Sequence, residues 1–332
     1  MCSTERIPER FAQGAEKAAA AIDALDDVLV AAHVNLDGDA LGSMAGMGWL
    51  LQESGKNFAL YAPKGVPEKL AFIKLPGQVW TRLDELPFSP KSAIYLDCSV
   101  PGRLGDTLSH KFDSWPSVNI DHHLGSDGMG SLYNYICPSA AATAQLVSYV
   151  ALADGRSLTG PLGEALGLGL MTDTGGFCHG NTTADVFELC ALLSRAGCDF
   201  STLRENLQHS WTLAKLRLWG RLFAKARLAL DDRVALSIIT ATELENFNCH
   251  PDDTEGLAEW LRRLRKAKIT AIIREDAPKV CKFSLRSFGD VDVRVIAASL
   301  GGGGHKNAAG GIIYARPEKA RTILLQAIAP YL

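Results

Sequence analysis

The sequence predicts an α/β protein in two parts: a parallel-sheet domain with helices on both faces, then a smaller α/β domain, with a helical connector between them. Three observations carry this. Short apolar runs alternate with helical patterns through the first half, the alternation that builds parallel sheets. Residues of metal-ligand type recur just past those runs: His33, Asp37 and Asp39 in HVNLDGDA, Asp97 in IYLDCS, His122 in NIDHH and Asp173 in MTDTGG. After residue 230 the texture changes to short strands with a helix between them. The boundaries read as 1–185 for the first domain, 186–230 for the connector and 231–332 for the second domain.

In chain order, the charged, Ala-rich N-terminal segment to residue 23 reads as a helix. VLVAAH (28–33), FALYA (58–62), AIYLDC (93–98) and SVNID (117–121) read as strands. Helices are expected from about Ala40 to Ser54, ended by Gly55, and over roughly 140–154, ended by Gly155. An apolar helical run in GEALGLGLMTDTGGF ends at Met171, with Asp173 following it beside Gly175 and Gly176. Thr182 or Thr183 caps a helix ended by Gly197, and an amphipathic stretch covers about 201–228. In the last part VALSIIT, ITAIIRE and KFSLRSF are strands, with a helix from Asp252 to Lys268 and a turn through Asp276 and Pro278. A helix (VDVRVIAASL) then opens into the glycines Gly301 to Gly304, and a strand and a closing helix follow.

Composition limits the alternatives. The chain has 332 residues, is 47% hydrophobic and carries a formal charge of −3, which suits globular domains with their own cores and excludes disordered and fibrous classes. No apolar stretch reaches the 18 or so residues of a membrane span, and the N-terminus lacks the apolar centre of a signal peptide, so the expected location is the cytoplasm. The eight cysteines form no CxxC pair and sit mostly in apolar contexts, as reduced core residues do. A pI near 6.2 offers no overall basic footprint for a long nucleic acid; a nucleic-acid substrate should be short. The run Arg262, Arg263, Arg265, Lys266 and Lys268 reads as a solvated helix face.

The ligand-type residues need a common explanation. Alone, a strand-ending HxxxDxD is a turn with helix-capping aspartates, and Asp97 is one carboxylate after a strand. Together, four carboxylates within about 4 Å of one another repel by roughly 4 kcal/mol per pair at an effective dielectric near 20, so cations must hold them. Asp97, unpaired after a buried strand, suits a position bridging two ions. In Asp121-His122-His123 adjacent side chains point differently, so one His can bind metal while the other faces substrate, with Asp121 orienting an imidazole. His110, His179, His209 and His250 are left as surface or core residues, with His179 kept in view because it lies six residues past Asp173. Carboxylates with two imidazoles and no thiolate favour two Mn²⁺, with Mg²⁺ or other divalent ions as alternatives. Such a pair clamps the attacking and leaving oxygens of a displacement at phosphorus. The glycine run lacks a nucleoside-triphosphate loop pattern; it offers backbone N–H groups free of side chains next to His305, suited to an anion, and Arg286 is a second anion contact.

In this order the motifs resemble the DHH phosphoesterase family carrying the DHH-associated C-terminal domain, a RecJ-like group, and within it the compact branch that degrades nanoRNA and dephosphorylates phosphoadenosine phosphate. The resemblance implies that His33, Asp37 and Asp97 hold one metal and that Asp39, Asp97, His122 and Asp173 hold the other. It also implies that His123 faces the scissile phosphate, and that Arg286, Gly302, Gly303, Gly304 and His305 bind substrate across an interdomain cleft. The implied activity is hydrolysis of short oligoribonucleotides or dinucleotides to mononucleotides, and of 3'-phosphoadenosine 5'-phosphate. A RecJ-type single-strand exonuclease and a noncatalytic nucleotide-binding protein are the alternatives. No membrane partner is expected, and a homodimer is left open.

Overall fold

The computed structural model describes residues 7–209 and 211–332, and the chain divides into two compact units, Met1–Ser210 and Trp211–Leu332. The first six residues of the expected N-terminal helix, Cys2 among them, lie outside the described residues.

The first unit runs α1 (Glu9–Asp23), β1 (Val28–Ala32), α2 (Gly38–Glu53), β2 (Phe58–Tyr61), β3 (Val79–Trp80), β4 (Ser92–Leu96), α3 (Asp106–Ser109), β5 (Ser117–Asp121), β6 (Tyr133–Ile136), α4 (Thr143–Ala153), α5 (Gly160–Asp173), α6 (Ala184–Arg195) and α7 (Phe200–Gln208). Its six strands pair in parallel in the order β3-β2-β1-β4-β5-β6. The strands β1, β4 and β5 are buried throughout, because both sheet faces are covered. Val28, Val30, Ile94, Leu96, Val118 and Ile120 join a core with α1, α2, α4 and α5. Leu29, Ala31, Tyr61, Ala93 and Tyr95 pack on the other side with Leu104 and Leu108. The chain winds from β1 outward through β2 and β3, then returns to build β4, β5 and β6 on the other side. That reversal between β1 and β4 opens the crevice at the carboxyl ends where ligands of such sheets bind.

Glycines set how closely α2 and α5 approach. A Cβ on Gly42 would lie 2.4 Å from the Ala165 carbonyl oxygen, and one on Gly46 would lie 2.7 Å from the Leu166 side chain. The two helices therefore meet backbone to backbone, which carries Asp39, near the start of α2, toward Asp173, the last residue of α5. Asp173 is helical rather than just beyond the helix, because the turn continues to a cap at Thr174.

The second unit comprises α8 (Leu213–Lys225), β7 (Arg227–Ala229), β8 (Val234–Ile239), α9 (Ala241–Phe247), α10 (Leu257–Leu261), β9 (Ile269–Ala277), β10 (Val280–Ser287), α11 (Val293–Ser299), β11 (Gly303–His305), β12 (Ala308–Ile313) and α12 (Pro317–Ile328). Its sheet has the order β11-β12-β10-β9-β8-β7. The β8 and β9 pair is parallel, and the remaining pairs are antiparallel.

Several expected elements differ. The connector over 186–230 divides between residues 210 and 211: α6 and α7 pack on α5 of the first unit, while α8 packs on β8 and α9 of the second. The amphipathic stretch of 201–228 is two helices and the start of β7. The helix expected from Asp252 to Lys268 shrinks to α10 and a separate turn at Pro251–Thr254, because Gly256 at φ +86° breaks it. Strands β3, β6 and β7 are short and partly exposed, so no continuous apolar run announces them. Among the described residues no helix is long and apolar enough to cross a membrane, and all seven described cysteines are free thiols.

Gly42→Ala should lower unfolding free energy by about 1–3 kcal/mol through overpacking against α5. Gly220→Ala, in α8 with open space around it, should raise it by roughly 0.5–1 kcal/mol. Urea unfolding of the two variants checks this; a neutral Gly42 variant would mean that α2 and α5 need no such close approach.

Candidate metal centre

Each strand that borders the crevice ends in a ligand-type residue. His33 follows β1, Asp97 follows β4, and Asp121, the last residue of β5, leads into His122 and His123. Asp97 has φ +52°, a left-handed conformation that Asp tolerates better than most side chains. Its amide still donates to the Ile120 carbonyl at 3.0 Å, so the strand ends and turns its carboxylate within one residue.

Three groups place their donor atoms within 4.8 Å of one another: His33, Asp37 and Asp97; Asp39, His122 and Asp173; and Asp97, His122 and His123. His33 Nε2 lies 3.3 Å from Asp97 Oδ2 and 3.6 Å from Asp37 Oδ2. It is buried and makes no hydrogen bond to either. An imidazole nitrogen set between two carboxylates without an aligned hydrogen bond to either suits a cation, and without a metal ion a proton takes that place. His122 Nε2 stands 3.5 Å from Asp97 Oδ1, 3.5 Å from Asp173 Oδ2 and 3.8 Å from Asp39 Oδ2. Its Nδ1 lies 3.3 Å from the Ala140 carbonyl oxygen; donating there leaves the Nε2 lone pair facing the carboxylates.

The carboxylates are held in place from behind. Thr143 and Ala144, the first residues of α4, donate their amides to Asp39 Oδ2 and Oδ1 at 2.6 and 2.8 Å, a helix N-terminus taking an anion. The Thr143 hydroxyl donates to Asp97 Oδ1 at 2.9 Å. Even so, burial and the nearby Asp97, Asp173 and Asp37 push Asp39 well above the usual carboxylate range. Asp173 rises to about 6, chiefly by burial. Burial alone would lower His33, but Asp37 and Asp97 override it and hold the imidazole at about 9. Protons substitute poorly here for a larger positive charge. The neighbouring Cys98 joins none of the ligand groups, and its thiol donates to the Val100 carbonyl at 3.3 Å.

His123 is fixed differently. Its Nδ1 meets the fully buried Asp121 Oδ1 at 2.7 Å, and its Nε2 lies 3.1 Å from Arg103 Nη1. Sequence reasoning missed Arg103, which stands in a single 3-10 turn six residues past Asp97, as well as Thr143 and Asn181. The Asn181 amide donates to the Ala141 and Asp173 carbonyls at 3.0 and 3.2 Å and ties the end of α5 to the start of α4. An Arg near a strand-ending Asp was the available signal for the first; Thr143 and Asn181 had none. His179 joins none of the ligand groups; its Nδ1 reaches the Asp173 carbonyl oxygen at 3.4 Å.

Arg286, Gly302, Gly303, Gly304 and His305 all belong to the second unit. Arg286, Ala308 and His305 sit side by side across β10, β12 and β11, and Arg286 is ion-paired with Glu259. The glycine run is not uniformly free for an anion, as the sequence suggested. The amides of Gly301 and Gly302 donate to the Ala298 and Ala297 carbonyls at the end of α11. A Cβ on Gly302 would lie 2.2 Å from the Gly310 carbonyl oxygen, so this glycine serves close strand packing. Gly303 and Gly304 lie on the edge strand β11, one side of which has no partner strand.

Comparison with known proteins agrees with this fold. Residues 27–170 match the model of the DHH family, N-terminal domain, and residues 231–331 match the DHHA1 domain. A bifunctional oligoribonuclease and PAP phosphatase NrnA of Thermus thermophilus is 30% identical over 283 residues, covering 85% of this chain and 83% of that protein. The protein of the same name in Mycoplasma genitalium is 26% identical over 88% of this chain and 90% of its own. Among solved structures, an exopolyphosphatase-related protein of Bacteroides fragilis superposes with a TM-score of 0.90 at 25% identity, covering 98% of both chains.

The metal-free chain should lose stability as pH rises. His33 in the folded state keeps its proton up to about 9 against an ordinary 6.5, so its contribution is complete below pH 6.5 and lost through pH 9. Urea midpoints of chelator-treated protein should fall across that window, and less steeply for His33→Gln, in which only Asp39 and His123, both raised, still release protons. Equal slopes for the two proteins would show that His33 carries no such proton.

Proposed function

The chain belongs to the DHH family and carries a DHHA1 domain behind its DHH domain, and from that membership we propose that it is a metal-dependent phosphoesterase acting on short oligoribonucleotides and dinucleotides, releasing mononucleotides, and on 3'-phosphoadenosine 5'-phosphate. The observation that carries this reading is the convergence of four carboxylates and two imidazoles at the carboxyl ends of adjacent parallel strands. The oligoribonuclease and PAP phosphatase names of its relatives supply the substrate class. Release of mononucleotides makes it an exonuclease, and we place it in the cytoplasm.

In this reading His33, Asp37 and Asp97 would hold one divalent ion, and Asp39, Asp97, His122 and Asp173 would hold a second. The donor set of oxygens and imidazoles, without thiolate, favours Mn²⁺, and Mg²⁺ suits the carboxylates as well. When bound, such a pair activates water near neutral pH and neutralises charge at phosphorus. The chain's own residues do the rest. Thr143 and the start of α4 fix Asp39 and Asp97 so that the ligand atoms do not reorganise. Asp121 orients His123, which faces the scissile phosphate; its Nε2, which accepts from Arg103 in this structure, gives a proton to the leaving oxygen only after leaving Arg103 and gaining one itself. Arg103 adds positive charge beside His123. In the second unit Arg286 and His305, with Gly303 and Gly304 of the edge strand beside them, bind the nucleotide, while Gly302 serves packing; Arg286 exchanges Glu259 for the substrate anion.

The test is release of mononucleotide from a dinucleotide by purified protein with Mn²⁺ and with chelator. Asp97→Asn should lower kcat by about 10³-fold or more, since several kcal/mol of charge stabilisation is lost with both ions. Arg286→Ala and His305→Ala should mainly raise KM. Wild-type turnover by the Asp97 variant would exclude the shared-carboxylate arrangement. Saturating Mn²⁺ should also raise the melting temperature of the wild-type chain as a ligand of the folded state, and an unchanged melting temperature would count against a metal centre at this position.

A further inference from the structure

The second unit carries chemistry that anion binding by Arg286 and the glycines does not use. Residues 211–332 hold 20 Lys and Arg against 13 Asp and Glu, whereas residues 1–210 hold 14 against 24. The positive excess includes Arg262 and Arg263, and these two are not simply solvated. The Arg263 guanidinium lies 4.1 Å from the centroid of Trp260, and that of Arg262 lies 6.0 Å from the centroid of Phe288. Both rings are open to solvent, Trp260 at 47% and Phe288 at 69%.

Their place in the unit matters. Phe288 stands two residues past Arg286, at the end of β10, and its amide donates to the Lys268 carbonyl at 3.0 Å. Trp260 neighbours Glu259, the ion-pair partner of Arg286. Asn307, in the turn after His305, donates to Ser287 Oγ at 2.8 Å and to the Gly289 carbonyl at 3.2 Å, tying the glycine hairpin to the segment that bears Phe288. One exposed ring thus follows Arg286 just past β10, and the other follows Glu259, the ion-pair partner of Arg286, on α10.

We infer that Phe288 and Trp260, with Arg262 and Arg263, form a base-stacking subsite for single-stranded oligoribonucleotide, holding nucleotides next to the one bound at Arg286 and His305; this rests on the substrate-binding role proposed for those two residues. Aromatic faces take any base, and cations beside them follow the phosphates, which suits a substrate read by length rather than by sequence. The 6.0 Å between Arg262 and the Phe288 ring is close to twice the roughly 3.4 Å rise between stacked bases, so a base enters with an adjustment of about 1 Å. Trp260 carries Arg263 at 4.1 Å and has Phe223 tilted against it at 6.3 Å, and its solvent-exposed part is where a base would meet it.

The test uses the full chain with Phe288→Ala, Trp260→Ala and both together. Because the rings are exposed, melting temperatures should match wild type. Substrates are a dinucleotide, a pentanucleotide and the same strands with the neighbouring base replaced by abasic ribose. Each ring removal should lower kcat/KM on base-bearing strands by about tenfold, through KM, and should have no further effect on the abasic strands, since base and ring are two ends of one contact. Equal loss on both kinds of strand, or no loss, overturns the subsite. Fluorescence polarisation with a noncleavable phosphorothioate dinucleotide separates this from the hydrolase reading. Ring-dependent binding without any cleavage by wild type would sink the hydrolase and support the subsite, while ring-independent binding would sink the subsite. Sedimentation without RNA completes the test: if either variant turned a dimer into a monomer, the rings would be covered by a second copy and the subsite would be overturned.

Discussion

Electrostatic repulsion among Asp37, Asp39, Asp97 and Asp173 is the constraint around which the first unit is built. Their mutual charge would drive the loops apart, and protons answer it only in part: Asp173 is raised to about 6 and His33 to about 9. The fold supplies mechanical resistance instead. Parallel pairing of β1, β4 and β5 fixes the strand ends, glycine contacts hold α2 against α5, and two amides of α4 grip Asp39. Rigid placement of like charges in a partly buried pocket is wasteful for stability and useful for binding cations, because the ligands are already where coordination needs them.

Gly169 illustrates how closely packing and chemistry are joined. A Cβ there would lie 2.4 Å from Ala144 Cβ and 2.8 Å from Asp39 Oδ1. Gly169 thus controls the position of the Asp39 carboxylate through the meeting of α2, α4 and α5. The second unit divides its labour in the same way: Gly302 and Gly310 let strands and turns approach, while the edge strand, Arg286 and His305 offer polar groups.

Much of this was legible in the sequence because buried parallel strands are written as continuous apolar runs, and the residue after each run lies at the sheet's carboxyl edge. His33, Asp97 and the Asp121 to His123 triplet were placed by that rule alone. Thr143 and Asn181 were not, since a Thr at a helix start and an Asn in a loop have many ordinary uses, and only the folded chain shows which carboxylate or carbonyl they meet. The helix expected to reach Lys268 failed for a local reason, a glycine in a left-handed conformation at 256. Just past the end of α10 at Leu261, Arg262 lies over Phe288 and Arg263 over Trp260. The first unit's acidic balance and the second unit's basic one were hidden by a net charge of only −3.

The central claim is that two cations share the carboxylate of Asp97, and electron paramagnetic resonance of the protein titrated with Mn²⁺ tests it most directly. The account predicts that the spectrum of the loaded chain is that of an exchange-coupled pair, with two ions bound per chain, and that substitution of Asp97 removes the coupling. A six-line spectrum of isolated Mn²⁺ at full loading would contradict it.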